Sequence, residues 1–321
     1  MLRYFTVRIV HGLLLLVGVS MLTFAFLQLA PGDFFAEMQL NPQMAPETVE
    51  ALRRQCGLDR SVAIRYLLWI NSVRKGELGF SFAYNSPVAP LLWTRARNTL
   101  ILTLTATLLS WLIAVPVGVG CAVRPRGWAD RLCLAATSTL LAVPEILLAL
   151  GLLVLAVRTG WFPTGGMVSL GFSELPAWSK VKDAVSHFCL PVAALVLGTV
   201  PALIRHARAS MVEVLASPFL RAARAHGIPR RRLLWRYALR AASSPLISLL
   251  GFAIATLLSG SLLVEVIMSW PGLGPLLWEA ILARDLYVVV GTVMCSTLFL
   301  LGGNMVADAL LVALDPRIRT G

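Results

Sequence analysis

One carboxylate stands alone inside an apolar run: Glu145, directly after Pro144, within the stretch Leu132 to Val157. A charge near the middle of a membrane span costs about 2.5–3.5 kcal/mol even on permissive insertion scales, so this side chain must face protein or water and not lipid. Three chemistries suit it. It can meet a positive group on a passing molecule, be a protonated acid bonded between helices, or serve as a general acid–base if His187 or His206 shares a water-filled cavity with it. The remaining reactive side chains form no such candidate. The four histidines, His11, His187, His206 and His226, lack zinc-protease spacing. Cys56, Cys121, Cys133, Cys189 and Cys295 include no Cys-x-x-Cys pair, and four of the five lie in or beside apolar runs, where they behave as small hydrophobes. The expectation is no catalytic set and no metal centre.

Nucleotide chemistry is also missing from the chain. A phosphate-binding loop needs Gly-Lys followed by Ser or Thr, since the lysine reaches the outer phosphates and the hydroxyl holds magnesium. Only Lys75, Lys180 and Lys182 are present, and none follows a glycine. No Gly-x-Ser-x-Gly elbow occurs either. Any nucleotide that powers this chain is therefore expected on another one.

The elements that must position these residues follow from composition. Of 321 residues 58% are hydrophobic and only 14% charged, against about 25% charged in soluble domains, which makes lipid the solvent. Backbone polar groups in lipid must be satisfied internally, and long apolar runs select helices over a barrel. Six runs reach the length of a crossing: Ile9 to Ala30, Asn98 to Val123, Leu132 to Val157, Phe188 to Ile204, Ala241 to Val264 and Leu286 to Leu314. The first is too long for a signal core and ends Leu29-Ala30-Pro31 without a small-x-small site, so it reads as a retained span. Pro116, Pro144, Pro191, Pro201 and Pro245 fall inside runs and can kink them. The fold class is all-α and polytopic, with six transmembrane helices.

Orientation follows from the arginines in the short connections. Arg3 and Arg8 precede the first span, Arg124, Arg126 and Arg131 join the second to the third, and Arg317 and Arg319 follow the sixth. Nine more lie in Arg205 to Arg240, against the single acid Glu213. All share one side if there are six spans, which puts both termini in the cytoplasm and residues 31–97 outside. At the centre of the arginine-rich stretch, Ser217-Pro218-Phe219-Leu220-Arg221-Ala222-Ala223-Arg224-Ala225-His226-Gly227 reads as a short helix. Ser217 can cap the first amides, Pro218 suits the first helical position, and Gly227 can end the last turn in the left-handed conformation. Small Ala222 and Ala223 would let this helix press into a cleft, and Phe219 and Leu220 would add about 1.5–3 kcal/mol each if buried there. A basic, capped helix between two spans is a handle for a cytoplasmic partner, although basic inner loops also arise from topology alone.

Elsewhere the chain shows smaller signals. Pro46 and Glu47 start a helix that Arg53, Arg54 and Gly57 end, and Ser61 caps another reaching Gly76 with Tyr66, Leu67, Ile70 and Val73 on its apolar face. This region is a packed lid or a docking surface. Trp270, Pro271, Gly272 and Gly274 predict a rigid turn outside the bilayer, followed by a short helix with Trp278 at the interface, as part of an outer gate. Asn304 and Asp308 share a helix face near the inner end of the last span and suit a polar latch to Arg317, Arg319 or the basic loop.

These residues together carry a resemblance. Pro31-Gly32-Asp33, Gly57-Leu58-Asp59, Gly76-Glu77-Leu78-Gly79 with Ser81, Trp270-Pro271-Gly272-Leu273-Gly274, Arg284-Asp285, Asn304 with Asp308, and the ending Asp315-Pro316-Arg317-Ile318-Arg319 occur in that order over most of the length. In this the chain resembles the permease subunits of the peptide/nickel family of ATP-binding-cassette importers, the first of their two paired permeases more than the second. The resemblance implies the type I importer permease fold, in a prokaryotic inner membrane. It implies a second homologous permease, two ATP-binding subunits that carry ATP and Mg, and an extracytoplasmic solute-binding protein, with no cofactor in this chain and no nucleic acid. It further implies that Ser217, Phe219, Arg221, Ala222, Ala223, Arg224 and Gly227 form the coupling loop, whose pattern is Glu-Ala-Ala, three residues, then Gly. Arg221 replaces the acid, and Tyr237 and Ala242 also depart from the usual stretch.

The resulting division is residues 1–30 as N-terminus and first span, 31–97 as helical outer loop, 98–204 as spans two to four, 205–240 as coupling loop, and 241–321 as the rest. Short peptides are the expected cargo, with nickel chelates, glutathione and opines as alternatives in the same family. Two other classes stay open: a membrane-embedded enzyme built on Glu145, and a non-transporting assembly subunit whose basic loop binds anionic lipid.

Overall fold

The computed structural model describes residues 2–29, 32, 34–35, 46–55 and 59–314. Over these the regular structure is helical apart from one two-stranded hairpin. The helices are α1 (Leu2–Leu29), α2 (Pro46–Gln55), α3 (Val62–Arg74), α4 (Val88–Val123), α5 (Trp128–Ala142), α6 (Glu145–Thr159), α7 (Ala177–Leu215), α8 (Pro218–Ala225), α9 (Leu239–Ile267), α10 (Leu273–Leu282) and α11 (Leu286–Leu314). Strands β1 (Phe80–Ser81) and β2 (Ser86–Pro87) pair antiparallel between α3 and α4. Among the described residues, four helices cross a bilayer by length and composition without a break: α1 from Thr6 to Leu29, α4, α7, and α11 from Leu286 to Val312.

The other two apolar runs take different forms. Ala241 to Val264 lies within α9, whose 29 residues reach about 43 Å at 1.5 Å each, more than a hydrocarbon core of about 30 Å. Leu132 to Val157, expected as one crossing, is instead two 15-residue helices, α5 and α6, bent by 96°. Pro144 causes the break. It has no amide to continue α5, and it drives Val143 into an extended conformation, φ −91° and ψ 120°. Pro116 in α4 and Pro191 and Pro201 in α7 leave their helices continuous.

The chain divides into two compact units, Met1–Thr99 with Pro271–Phe299 and Leu100–Trp270 with Leu300–Gly321. In the first, Phe24 of α1 meets Tyr66 and Trp69 of α3 at ring distances of 5.2 and 5.4 Å, and Val290 completes the buried cluster. Trp69, and not the expected Leu67, is the residue α3 buries: Leu67 is 65% exposed. The hairpin is fastened by Asp285, which is fully buried and accepts hydrogen bonds from the Ser81 hydroxyl at 2.7 Å and the Ala83 amide at 3.1 Å. Tyr84 donates its hydroxyl proton to Glu279, and burial together with that carboxylate pushes its pKa up to about 12. Gly79, at φ +105°, lies flat on Tyr287, where a β-carbon would come within 2.7 Å of the ring.

In the second unit α7 is the central element, with α5, α6 and α9 packed on it. Gly118 of α4 allows near backbone contact with α7, since a β-carbon there would sit 2.7 Å from that of Ala207; small residues at such crossings are how helices pack in lipid. Asp130, near the start of α5, holds Arg208 of α7 through two bonds of 2.5 and 2.8 Å and also accepts the Arg126 amide at 2.7 Å. An acid this buried, 2% exposed, needs such pairing.

Candidate functional site

Helix α8 is short because both ends are specified locally. Pro218 occupies its first turn, where no amide partner is lost. Ser217 departs from the expected cap: its hydroxyl donates back to the Val214 carbonyl at 2.5 Å and makes no bond to the helix it precedes. It therefore ties the end of α7 to the start of α8. At the other end Gly227 takes φ +75°, its amide bonds the Arg224 carbonyl at 3.0 Å, and the Ile228 amide reaches the Ala223 carbonyl at 3.4 Å. Those are the two bonds of a Schellman termination, and Ile228 and Ala223 pack on the same cluster, as that motif favours.

The faces of α8 are divided. Leu220 is 2% exposed and anchors the helix among Val119, Met211, Leu233 and Ala238, so it is not available to a partner as the sequence suggested. Phe219, 50% exposed, Arg221, Ala222 and Arg224 point outward, while Ala223 is half-buried. After Gly227 the chain makes one α turn, Arg230–Arg232, then a π-helical segment, Leu233–Ala238, that runs directly into α9. The rod is thus fixed to α7 before it and to α9 after it.

Glu145 occupies a slot. It opens α6, where the positive end of the helix favours a carboxylate. Gly198 of α7 and Gly260 of α9 face it. A β-carbon at Gly260 would lie 2.5 Å from Oε2 and one at Gly198 3.3 Å from Oε1. The side chain is half-buried and, among the described residues, has no hydrogen-bond partner. It is packed against two bare backbone faces. His187 is buried with Nδ1 against the Asp183 carbonyl at 2.9 Å, and His206 is exposed. Neither bonds Glu145, so the acid–base set considered from sequence is not brought together.

Trp270 is 1% exposed and packs on Phe188 at 5.4 Å within the α6, α7 and α9 core. It is a core residue, with the turn before it made by Ser269 at φ +51°. Pro271, Gly272 and Gly274 lead into α10, and here two side chains that sequence reasoning passed over do the positioning. Asn98 donates to the Pro271 carbonyl at 2.8 Å, and Thr99 accepts the Leu273 amide at 2.8 Å, giving α10 the cap that Gly272 cannot supply. Trp278 is 57% exposed, as an interfacial residue would be. Asn304 and Asp308 lie one turn apart on α11, both half-buried; Arg317 and Arg319 lie outside the described residues, as do Gly57 and the motif positions Pro31, Asp33 and Asp315. Among the described residues no group of three or more His, Cys, Asp or Glu is placed to hold a metal ion.

Comparison with known proteins agrees with this architecture. Residues 114–320 match the family described as binding-protein-dependent transport system inner membrane component, and residues 1–103 match the family of its N-terminal region. The chain is 33% identical to the oligopeptide transport system permease protein AppB of Bacillus subtilis (strain 168), with 99% of each chain covered. It is 34% identical to the dipeptide transport system permease protein DppB of Escherichia coli (strain K12), with 94% of each covered. It is 31% identical to the glutathione transport system permease protein GsiC of Salmonella paratyphi A, with 99% of each covered. Among solved structures, an inward-facing form of the MetNI methionine ABC transporter shares the fold at a TM-score of 0.53 and 19% identity, over 70% of this chain and 96% of that one. A helical membrane chain with a short, doubly anchored rod between its fourth and fifth apolar runs, matched from residue 1 to residue 320, belongs to the inner membrane components of binding-protein-dependent transport systems and is a permease.

Proposed function

We propose that this permease is one half of the translocation path of an importer for short peptides, working beside a second, similar permease. A solute-binding protein delivers cargo on the outer side, and two ATP-binding subunits carry ATP and Mg on the inner side. Both termini and α8 face the cytoplasm, residues 31–97 face outward, and the segment with Trp270, Pro271, Gly272 and Gly274 is part of the outer gate. The reading rests most on one observation: α8 is anchored by Leu220 and closed by Gly227 while Phe219, Arg221, Ala222 and Arg224 stay exposed. A rod held at both ends and open along one face transmits a push from a separate motor as rigid-body movement of α7 and α9. Asn304 and Asp308 serve as a polar latch at the inner end of α11. Full-length similarity to permeases named for oligopeptides, dipeptides and glutathione supports peptide-like cargo.

Glu145 lines the path and meets the cargo's ammonium group. Its slot between Gly198 and Gly260 leaves the carboxylate without a hydrogen-bond partner among the described residues. Uptake of labelled di- and tripeptides by the reconstituted assembly tests this. Peptides with a free amino terminus should enter faster than N-acetylated ones, and Glu145→Gln should remove that preference while leaving N-acetylated uptake unchanged. Unchanged selectivity in Glu145→Gln removes the pathway role, and absence of any ATP-driven peptide uptake removes the peptide reading.

A further inference from the structure

Asp130 joins three helices at one carboxylate. It accepts the Arg126 amide at 2.7 Å, which shapes the turn from α4 to α5 where Arg126 takes φ +67°. It also grips Arg208 of α7 through two bonds of 2.5 and 2.8 Å. At the same level α4 presses on α7, since a β-carbon at Gly118 would come within 3.0 Å of the Arg208 amide nitrogen. A buried ion pair adds little net stability over a well-packed apolar pair. What two parallel bonds to one guanidinium add is a fixed register between the helices that carry them.

The position of the pair decides what that register serves. Along α7, Gly198, which walls the Glu145 slot, stands ten positions before Arg208, about 15 Å at the helical rise. Toward the other end, Leu215 closes α7 seven positions after Arg208, and the Ser217 hydroxyl bonds the Val214 carbonyl where α8 begins. Asp130 lies near the start of α5, whose far end is Ala142. Only Val143 and Pro144 separate that end from α6, and Glu145 is the first residue of α6. The connection has little slack, because the Pro144 carbonyl already accepts the amides of Leu147 and Leu148 at 2.9 and 3.2 Å. With their 96° bend, α5 and α6 form an L: its first arm is tied to α7 near the rod, and its corner carries Glu145.

We propose that Asp130 and Arg208 are positioning residues for transport. They carry the displacement of α7 at the rod into α5, and the L turns it into movement of Glu145 within its slot between Gly198 and Gly260. This rests on the reading that α8 receives the stroke of an ATP-driven partner, and adds the route by which the stroke reaches a carboxylate on another helix. It also gives a reason for an ion pair where apolar side chains would hold the helices equally well.

Two paired replacements in the reconstituted assembly separate positioning from stability. Asp130→Asn with Arg208→Gln removes both charges, and Asp130→Leu with Arg208→Met fills the space with apolar groups, which should hold or raise the melting temperature. Each pair is expected to keep ATP hydrolysis while the peptide taken up per ATP falls about 2- to 30-fold, the range in which residues between two sites alter their coupling. A fluorescent amino acid in place of Leu147 on α6, 54% exposed, should change its emission on vanadate trapping in the unaltered assembly. Both paired variants should lose that response, while the same probe at Phe219 on α8 keeps it throughout. A leucine and methionine variant that takes up peptide at the unaltered ratio, or an α6 probe that responds equally in all three proteins, overturns the proposal. An unaltered assembly that takes up no peptide removes the peptide reading, while probes that still follow nucleotide, with the α6 response lost in the paired variants, uphold the link between rod and α6.

Discussion

Gly227 has open space around the position a β-carbon would take, yet its φ is +75°, so replacing it is a problem of backbone and not of packing. An L-residue held there costs about 1–2 kcal/mol, least for Asn and most for a β-branched side chain. Gly227→Val is expected to loosen the end of α8 and lower the amount of substrate taken up per ATP hydrolysed, whereas Gly227→Asn keeps most of it. The reconstituted assembly reports that ratio directly. Asp285 makes the opposite kind of contribution, as a buried acceptor and not a conformation. Asp285→Ala leaves the buried Ser81 hydroxyl without its acceptor, at about 1–3 kcal/mol, and also releases the amide of the exposed Ala83. The melting temperature should fall clearly in Asp285→Ala and less in Asp285→Asn, which keeps an acceptor oxygen. Gly227 was legible in the sequence because its cap is local, its amide bonding the carbonyl of Arg224 three residues back. Asn98 and Thr99 were not, because each acts on backbone more than 170 positions away, and no local pattern announces that a hydroxyl will cap a distant helix.

Among the elements, α8 was readable nearly to the residue, since proline, a hydrophobic anchor and glycine all favour the same short helix. Its interior was misjudged in one respect. The sequence offers Phe219 and Leu220 as equivalent apolar neighbours, and only the packing of Met211 and Leu233 makes Leu220 the anchor and leaves Phe219 outside. The run Leu132 to Val157 was legible as lipid-facing but not as a broken pair of helices. Proline is tolerated inside α4 and α7 and ends α5 at Val143, so the residue type alone did not decide the outcome. The tie between α5 and α7 through Asp130 and Arg208 was also missed, because one arginine among many carries no mark of its partner. A double-mutant cycle measures that tie. Asp130→Asn should destabilise the protein more than Asp130→Asn combined with Arg208→Gln, because the single change leaves a partly buried guanidinium without its counter-charge. Additive losses in thermal unfolding would show that the two side chains do not act together.

At the scale of the whole molecule, a low share of charge and long apolar runs are enough to place the chain in lipid, while of the six expected crossings four are unbroken spans among the described residues, or five if the bent pair α5 and α6 is one. The permease assignment draws on the full length, and the proposed mechanism concentrates it at α8, where the exposed face of a doubly fixed rod receives the stroke of an ATP-driven partner. A photoreactive amino acid at Phe219, in the assembly purified from membranes, measures this most directly. The account predicts an adduct with an ATP-hydrolysing subunit whose yield changes between nucleotide-free and vanadate-trapped states. Adducts only with lipid or with a protein on the outer side, or a yield that ignores nucleotide, would contradict it.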